Sequence, residues 1–149
     1  ERLFPVQWSG FIGVQASTLG MSVMLAFRGA GAIAGSLATT SIFGQSKPRL
    51  RFAILTGFLL AAFGYMALAD VPNIWLACLA LVVAHAGGSI IWTASTSLLM
   101  DQTEDKFRGR VFSTEFAFSM GTLAVISYTG GVLVDHGVSV RTLAFGTAC

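Results

Sequence analysis

The sequence predicts an all-α protein, a bundle of helices that cross a membrane several times. Hydrophobic residues make up 54% of the 149-residue chain and charged residues 11%, and the mean hydropathy is +0.75. A soluble globular domain has roughly 25% charged residues, so this composition argues against a water-soluble protein. The apolar residues also form long consecutive runs, and four successive helices of that kind would be exceptional in a soluble protein.

Four runs have the length of a transmembrane helix. They are predicted to span residues 16–43, 52–69, 74–100 and 111–134. A helix needs roughly 17–25 residues to cross a hydrocarbon core of about 30 Å, and the longer runs leave room for tilt. The runs contain two charged residues, Arg28 and Glu115. Charge inside a bilayer is costly, so both are candidates for functional positions.

Two shorter apolar segments, residues 3–14 and 142–149, flank the four spans. Each is too short to cross a bilayer, so we expect each to be part of a helix. The chain starts at Glu1 without a Met and stops inside an apolar stretch. We therefore expect residues 1–149 to be a fragment of one transmembrane domain in a longer protein.

The connections between the spans predict the orientation of the bundle. Helix hairpins put the connections 44–51 and 101–110 on the same side of the membrane. Together they hold six basic residues: Lys47, Arg49, Arg51, Lys106, Arg108 and Arg110. The other side has no basic residue in 70–73 and one in 135–141. Because Lys and Arg in short loops mark the cytoplasmic side, we expect the two basic connections to be cytoplasmic.

Small residues recur at spacings that favour close packing of helices. Gly31 and Gly35 are four residues apart in the first span, and Gly57 and Ala61 repeat that spacing in the second. The third span contains the run AHAGGS at residues 84–89. Helices in lipid associate through small residues, because lipid tails provide no hydrophobic drive for association. A tightly packed bundle is therefore expected.

Several stretches resemble one known family. They are RGAGAIAGSL in the first span, SLLM at the end of the third, and then DQTEDKFRGRVFSTEF and GGVLVDHG. In this order the chain resembles the C-terminal half of major facilitator superfamily transporters, and it looks most like the bacterial drug- and siderophore-exporter branch. The resemblance covers nearly the whole chain, from the end of the seventh helix to the start of the twelfth. The basic connection FGQSKPRLR departs from the family pattern because it lacks an Asp.

The resemblance implies a function and a set of partners. It implies a secondary active transporter, a multi-pass protein of the bacterial inner membrane, that exports a small organic molecule by alternating access with proton coupling. The missing N-terminal half would supply the other wall of the substrate cavity. We expect the partners to be a small-molecule substrate, the lipid bilayer and that half. No nucleic acid, no cofactor, no metal and no enzymatic activity are expected.

The two charges inside the spans each have two interpretations. A central Arg costs roughly 2.5–3.5 kcal/mol to insert, so Arg28 either meets an anionic group in a cavity or bonds to backbone carbonyls of a neighbouring helix. Glu115 shares a helical face with Ser119 and Thr122 and is a candidate for proton coupling. It could equally be an acid that stabilises the start of its helix.

A polar stripe marks the third span. It consists, at helical spacing, of His85, Ser89, Trp92, Thr93 and Thr96. The stripe predicts a polar, water-facing side of this helix, which lines the central cavity in the resembling family. The alternatives for the histidine are a proton relay and a packing residue with a hydrogen bond.

The basic connections supply the candidates for a cytoplasmic gate. These are Lys47, Arg49, Arg51, Arg108, Gly109 and Arg110. We expect Gly109 to let the chain turn from the connection into the helix at low steric cost. The arginines beside it either clamp an inner gate or anchor the helix at anionic lipid.

The acidic residues of the same connection allow another class of function. Asp101 and Asp105 could bind magnesium and a diphosphate, as in a membrane-embedded transferase. That chemistry needs a second carboxylate cluster, which the sequence lacks, and no catalytic motif is present. A non-transporting helical scaffold in the membrane is the third possibility.

Overall fold

The computed structural model describes residues 14–44 and 46–148, and every regular element in them is a helix. In chain order the helices are α1 Val14–Ala38, α2 Lys47–Ala69, α3 Ile74–Gln102, α4 Asp105–Asp135 and α5 Val140–Ala148. A π-helical turn, Thr39–Phe43, continues α1. The described residues contain no β-strand, so the all-α prediction is confirmed for this part of the chain.

Four helical segments are long and apolar enough to cross a bilayer. They are Thr18–Phe43, Lys47–Ala69, Ile74–Gln102 and Asp105–Asp135. The prediction of four membrane-length helices is confirmed, and the arrangement is compatible with an integral membrane protein. Large apolar side chains such as Phe58 on α2 and Phe118 on α4 are exposed, as expected of surfaces that contact lipid.

The charged connections are shorter than the sequence suggested, because two helices begin inside them. α2 starts at Lys47 with Pro48 in its first turn, where the missing N–H of proline has no helical partner to lose. α4 starts at Asp105. On the other side, the Asn73 side chain accepts a hydrogen bond of 3.0 Å from the Leu76 backbone N–H and caps α3.

The turn between α3 and α4 is made by Thr103 and Glu104, whose backbone is extended at ψ values of 126° and 142°. Gly109 lies inside α4. Among the described residues, positive φ values occur only at Gly44 and Gly137. The expectation that Gly109 turns the chain into the helix is therefore wrong, because two non-glycine residues complete the turn before it.

α3 is the central helix of the packed unit. Both α1 and α2 pack against it, and α5 packs against α2. α4 has no buried residue along its described length, so it stands apart from this unit. The second flanking apolar segment forms most of α5, whereas residues 3–13 of the first lie outside the described residues.

Glycines bring α1 into direct backbone contact with α3. Gly31 faces the backbone of Val82, and Gly35 faces the backbone of Ala86. A methyl group at either glycine would overlap the carbonyl oxygen of its neighbour. The close approach expected from the glycine spacing is present, and the two helices run side by side in the same direction through both contacts.

A second set of small residues joins α2 to α3. A methyl group at Gly57 would lie 2.8 Å from the Gly87 carbonyl oxygen, and one at Gly64 would lie 2.8 Å from the Ala84 Cβ. Toward the end that carries the basic residues, the contact broadens into an apolar core of Leu50, Ala53, Ile90 and Ala94. Small residues therefore fix the spacing of α2 and α3, and larger side chains fill the end of the interface.

The two charged turns lie at the same end of the bundle. The Lys47 Nζ atom is 3.0 Å from an Asp101 carboxylate oxygen, which joins the start of α2 to the end of α3. Both side chains are more than half exposed, so this ion pair contributes about 0–1 kcal/mol to stability. The ion pair is informative about topology, because it shows that the two basic connections lie on the same side of the bundle.

Candidate functional site

A groove opens between α1 and α2, with α3 beneath it. Its volume is about 550 Å³, and its lining residues are Met21, Met24, Leu25, Arg28, Tyr65, Leu81 and His85. Pockets that take small molecules have volumes of roughly 300–1,000 Å³ and combine apolar walls with a few polar groups. This groove has that size and that composition, so it is the leading candidate site.

The glycine contacts position the polar groups of the groove. Arg28 precedes the Gly31 contact with Val82 by about one turn of α1. Tyr65 and His85 are the chain neighbours of Gly64 and Ala84, which touch across the α2–α3 interface. The two rings have centroids 6.3 Å apart and an interplanar angle of 58°, a tilted arrangement that aromatic rings favour.

His85 has one ring nitrogen engaged and one free. Its Nδ1 atom is 3.1 Å from the Leu81 carbonyl oxygen on the preceding turn of α3. A carbonyl oxygen can only accept, so Nδ1 carries the hydrogen of this bond and Nε2 is an acceptor in the neutral ring. No described residue bonds to Nε2. His85 therefore lines the groove and also makes a local hydrogen bond, and its role in a transport cavity stays a prediction.

Arg28 is exposed to the groove and has no hydrogen bond or ion pair with any described residue. The alternative of a structural Arg bonded to carbonyls of a neighbouring helix finds no such bond within residues 14–44 and 46–148. Arg28 shares the lining of this groove with His85. The groove thus presents an unpaired positive charge among apolar side chains.

The polar stripe predicted on α3 divides between two surroundings. Ser89 and Thr93 face α1, where the Ser36 hydroxyl lies 2.8 Å from the Ser89 Oγ and 3.4 Å from the Thr93 Oγ1. These two residues join helices, as hydroxyls often do across membrane interfaces, while His85 lines the groove and Trp92 is about half exposed.

Glu115 and Ser119 lie on α4, away from the groove. Glu115 is half-buried and lines a depression of about 360 Å³ together with Trp92 of α3. Ser119, one turn further along α4, is also half-buried. Because α4 does not pack against α1, the structure does not bring Glu115 to Arg28, and proton coupling by Glu115 stays a prediction.

A further depression, of about 560 Å³, is formed by α4 alone. It is lined by Ala117, Phe118, Gly121, Thr122, Val125 and Ile126. Thr122 is the one polar side chain among them, and no second helix of the described chain lines the depression. This is an exposed helix face of the kind that meets lipid or another helix, and it lacks the convergent polar groups of a binding site.

The gate candidates are exposed residues at the charged end of the bundle. Arg108 donates hydrogen bonds of 3.3 Å to the carbonyl oxygens of Thr103 and Met100, and its guanidinium is 2.6 Å from the Asp105 carboxylate. Arg108 therefore holds the turn between α3 and α4. Arg49, Arg51, Gly109 and Arg110 are exposed.

The carboxylates of the same turn are all engaged with basic side chains. Asp101 pairs with Lys47, Glu104 with Lys106 at 2.7 Å, and Asp105 with Arg108. No three His, Cys, Asp or Glu side chains come together as a metal-binding group in the described part of the chain. The arrangement of this turn is that of a network of ion pairs.

Sequence reasoning missed two of the residues that matter in this region. Tyr65 and Thr56 are the two hydroxyl-bearing residues of the predicted span 52–69, and a Tyr inside so apolar a span was the available signal. Ser36 directly follows Gly35, so it lies beside a glycine contact, but its partners on α3 could be found only in the folded chain.

No protein-family model, curated protein or solved structure matches this chain at a significant level.

Proposed function

We propose that this chain is the C-terminal part of a secondary active transporter of the major facilitator type, which moves a small organic molecule by alternating access. The observation that carries the proposal is the groove between α1 and α2. It holds Arg28 and His85 near the middle of their helices and Tyr65 near the end of α2, among apolar side chains of helices that are long enough to cross a bilayer.

Helix packing supports the same proposal. Glycine and alanine backbone makes the closest α1–α3 and α2–α3 contacts, away from the apolar core at the charged end. Such interfaces allow helices to tilt or slide as a body, which alternating access requires. α4, which has no buried residue, would then pack against the remaining half of the transporter.

The charged end fits a role in gating. The Lys47–Asp101 pair joins the two basic turns, and Arg108 holds the α3–α4 turn. In the proposed orientation this end is cytoplasmic, where basic side chains near anionic lipid gain roughly 1 kcal/mol each. Arg110 has no ion pair among the described residues and would meet the other half of the protein or lipid phosphates. Proton-coupled efflux across a bacterial inner membrane follows from the family resemblance.

Export from cells tests the proposal. Cells that produce the protein are loaded with a panel of labelled organic compounds, and efflux is compared with cells that lack it, with and without a protonophore. We expect faster efflux of at least one compound, lost when the proton gradient collapses and reduced by Arg28→Gln. Turnover of a prenyl diphosphate by the purified protein, with no efflux of any compound, would favour the transferase alternative.

A further inference from the structure

We infer that the groove binds a small organic anion, an apolar body that carries a single carboxylate, with Arg28 as the residue that recognises the charge. This inference deepens the proposed function, on which it rests, because it names the chemical class of the transported solute. Three features of the groove carry it, namely its unpaired charge, its arrangement of hydrogen-bonding groups and its depth in the helices.

Charge complementarity gives the sign of the solute. Arg28 is unpaired among the described residues, and the groove contains no Asp or Glu. A guanidinium in low-dielectric surroundings is stabilised by an anion, and its planar fork matches the two oxygens of a carboxylate. Among the described residues a cationic solute would meet Arg28 with no compensating carboxylate, so this wall of the groove favours an anion over a cation.

The neighbouring polar groups complement the same headgroup. The Tyr65 hydroxyl has no hydrogen bond to any described residue, and the Nε2 atom of His85 is equally unengaged. A phenolic hydroxyl can donate to a carboxylate oxygen, whereas Nε2 of the neutral ring accepts and suits a hydroxyl or N–H on the solute. One carboxylate therefore satisfies Arg28 and Tyr65, and a donor beside it would satisfy His85.

The remaining lining gives the body of the solute. It consists of two methionines and two leucines: Met21, Met24, Leu25 and Leu81. Methionine is flexible and polarisable, adapts to irregular shapes and contacts aromatic rings favourably. The groove volume of about 550 Å³ is in the range of pockets for drug-sized molecules. An aromatic or branched apolar body fits this lining better than a polar one.

Depth distinguishes a solute from a lipid headgroup. Arg28 is ten residues from the start and fifteen from the end of the membrane-length segment Thr18–Phe43, which is about 15 Å and roughly 20 Å along the axis. Lipid headgroups lie outside a hydrocarbon core of about 30 Å, so a lipid phosphate would have to move inward by roughly 15 Å. The Arg28 side chain can extend toward the interface, but it is shorter than that distance. We therefore assign the groove to a small solute.

Equilibrium binding to the purified protein in phosphatidylcholine nanodiscs tests the inference directly. The probes are 2-naphthoate, its neutral isostere 2-naphthamide and the cation 2-naphthylmethylammonium, with empty nanodiscs as the blank for partition into lipid. A hydrogen bond to a charged partner is worth about 1.5–3 kcal/mol, so we expect 2-naphthoate to bind roughly 10- to 100-fold more tightly than 2-naphthamide. No measurable binding of the cation is expected. Equal binding of the acid and the amide would overturn the inference.

Variants assign the preference to one residue. Arg28→Gln should abolish the preference for 2-naphthoate, and Arg28→Lys should keep part of it because it keeps the charge. Lys106→Gln is the matched control, since it removes an exposed positive charge outside the groove and should leave the preference unchanged. An unchanged preference in Arg28→Gln would overturn the assignment. If that variant fails to fold, the comparison of probes on the unmodified protein still decides the question.

Two further arms separate the alternatives. Displacement of 2-naphthoate by phosphatidylglycerol in the nanodisc would overturn the assignment to a small solute and identify a lipid site. Efflux is measured separately from binding. Preferential binding of 2-naphthoate without transport of any compound would contradict the transport proposal alone. Export of neutral compounds without preferential binding of 2-naphthoate would contradict the assignment of the groove to an organic anion alone.

Discussion

Replacement of Gly35 by alanine should weaken the α1–α3 interface in a way that can be calculated from its geometry. The added methyl group would overlap the Ala86 carbonyl oxygen and lie 2.9 Å from the Ala86 Cα, both backbone atoms that cannot rotate away. Overpacking of this kind costs about 1–3 kcal/mol. If the helices separate to relieve the overlap, the hydrogen bond between Ser36 and Ser89 is lost as well, at about 0.6 kcal/mol.

The matched control is Gly29→Ala on the same helix. Both substitutions gain helix propensity, up to about 1 kcal/mol, but no atom lies within 4 Å of a methyl group at Gly29. The difference between the two variants therefore isolates the steric cost. Unfolding by SDS in mixed micelles, followed by circular dichroism, should show Gly35→Ala less stable than Gly29→Ala by about 1–3 kcal/mol. Equal stability of the two variants would refute the direct backbone contact between α1 and α3.

Three other predictions concern topology, the charged turn and a buried hydroxyl. With the native cysteines removed, a cysteine at Ser46 should be protected from a membrane-impermeant thiol reagent outside intact cells, and one at Asn73 should react; labelling of the first would invert the orientation. Arg108→Gln should speed hydrogen exchange in the α3–α4 turn, because Arg108 bonds to two of its carbonyls, whereas Arg110→Gln should leave exchange unchanged and slow transport. The Thr96 hydroxyl is buried without a hydrogen-bond partner among the described residues, so Thr96→Val should stabilise the bundle by up to about 1 kcal/mol; a loss of stability in SDS unfolding would point to a partner.

Sequence patterns were most informative where one physical rule dominates. Membrane-length helices follow from apolar run length alone, because every backbone group in lipid must be bonded within its own segment. The glycine contacts were also predictable, since Gly31 and Gly35 recur at one helical turn and lie on one face. The starts of α2 and α4 were not predictable in this way. Each helix begins with a charged first turn, and a search for apolar runs does not include that turn.

The candidate site was predictable only in part. Arg28 and His85 stood out as polar residues inside apolar spans, and both line the groove. The sequence did not show that Ser89 and Thr93 would pack against α1 while His85 lines the groove. Helical spacing tells which residues share a face, but not which neighbouring helix covers that face. Ser89 meets Ser36 only through the register that the glycine contacts impose. Tyr65 likewise reaches the groove through packing of α2 on α3.

Flux across a reconstituted bilayer tests the central claim most directly. The purified protein is incorporated into liposomes, a proton gradient is imposed, and the movement of 2-naphthoate is followed against protein-free liposomes. We expect saturable flux that requires the gradient, is lost in Arg28→Gln and is retained in Lys106→Gln. Flux no greater than in protein-free liposomes, for 2-naphthoate and for every compound of the efflux panel, would contradict the claim that this bundle is part of a transporter.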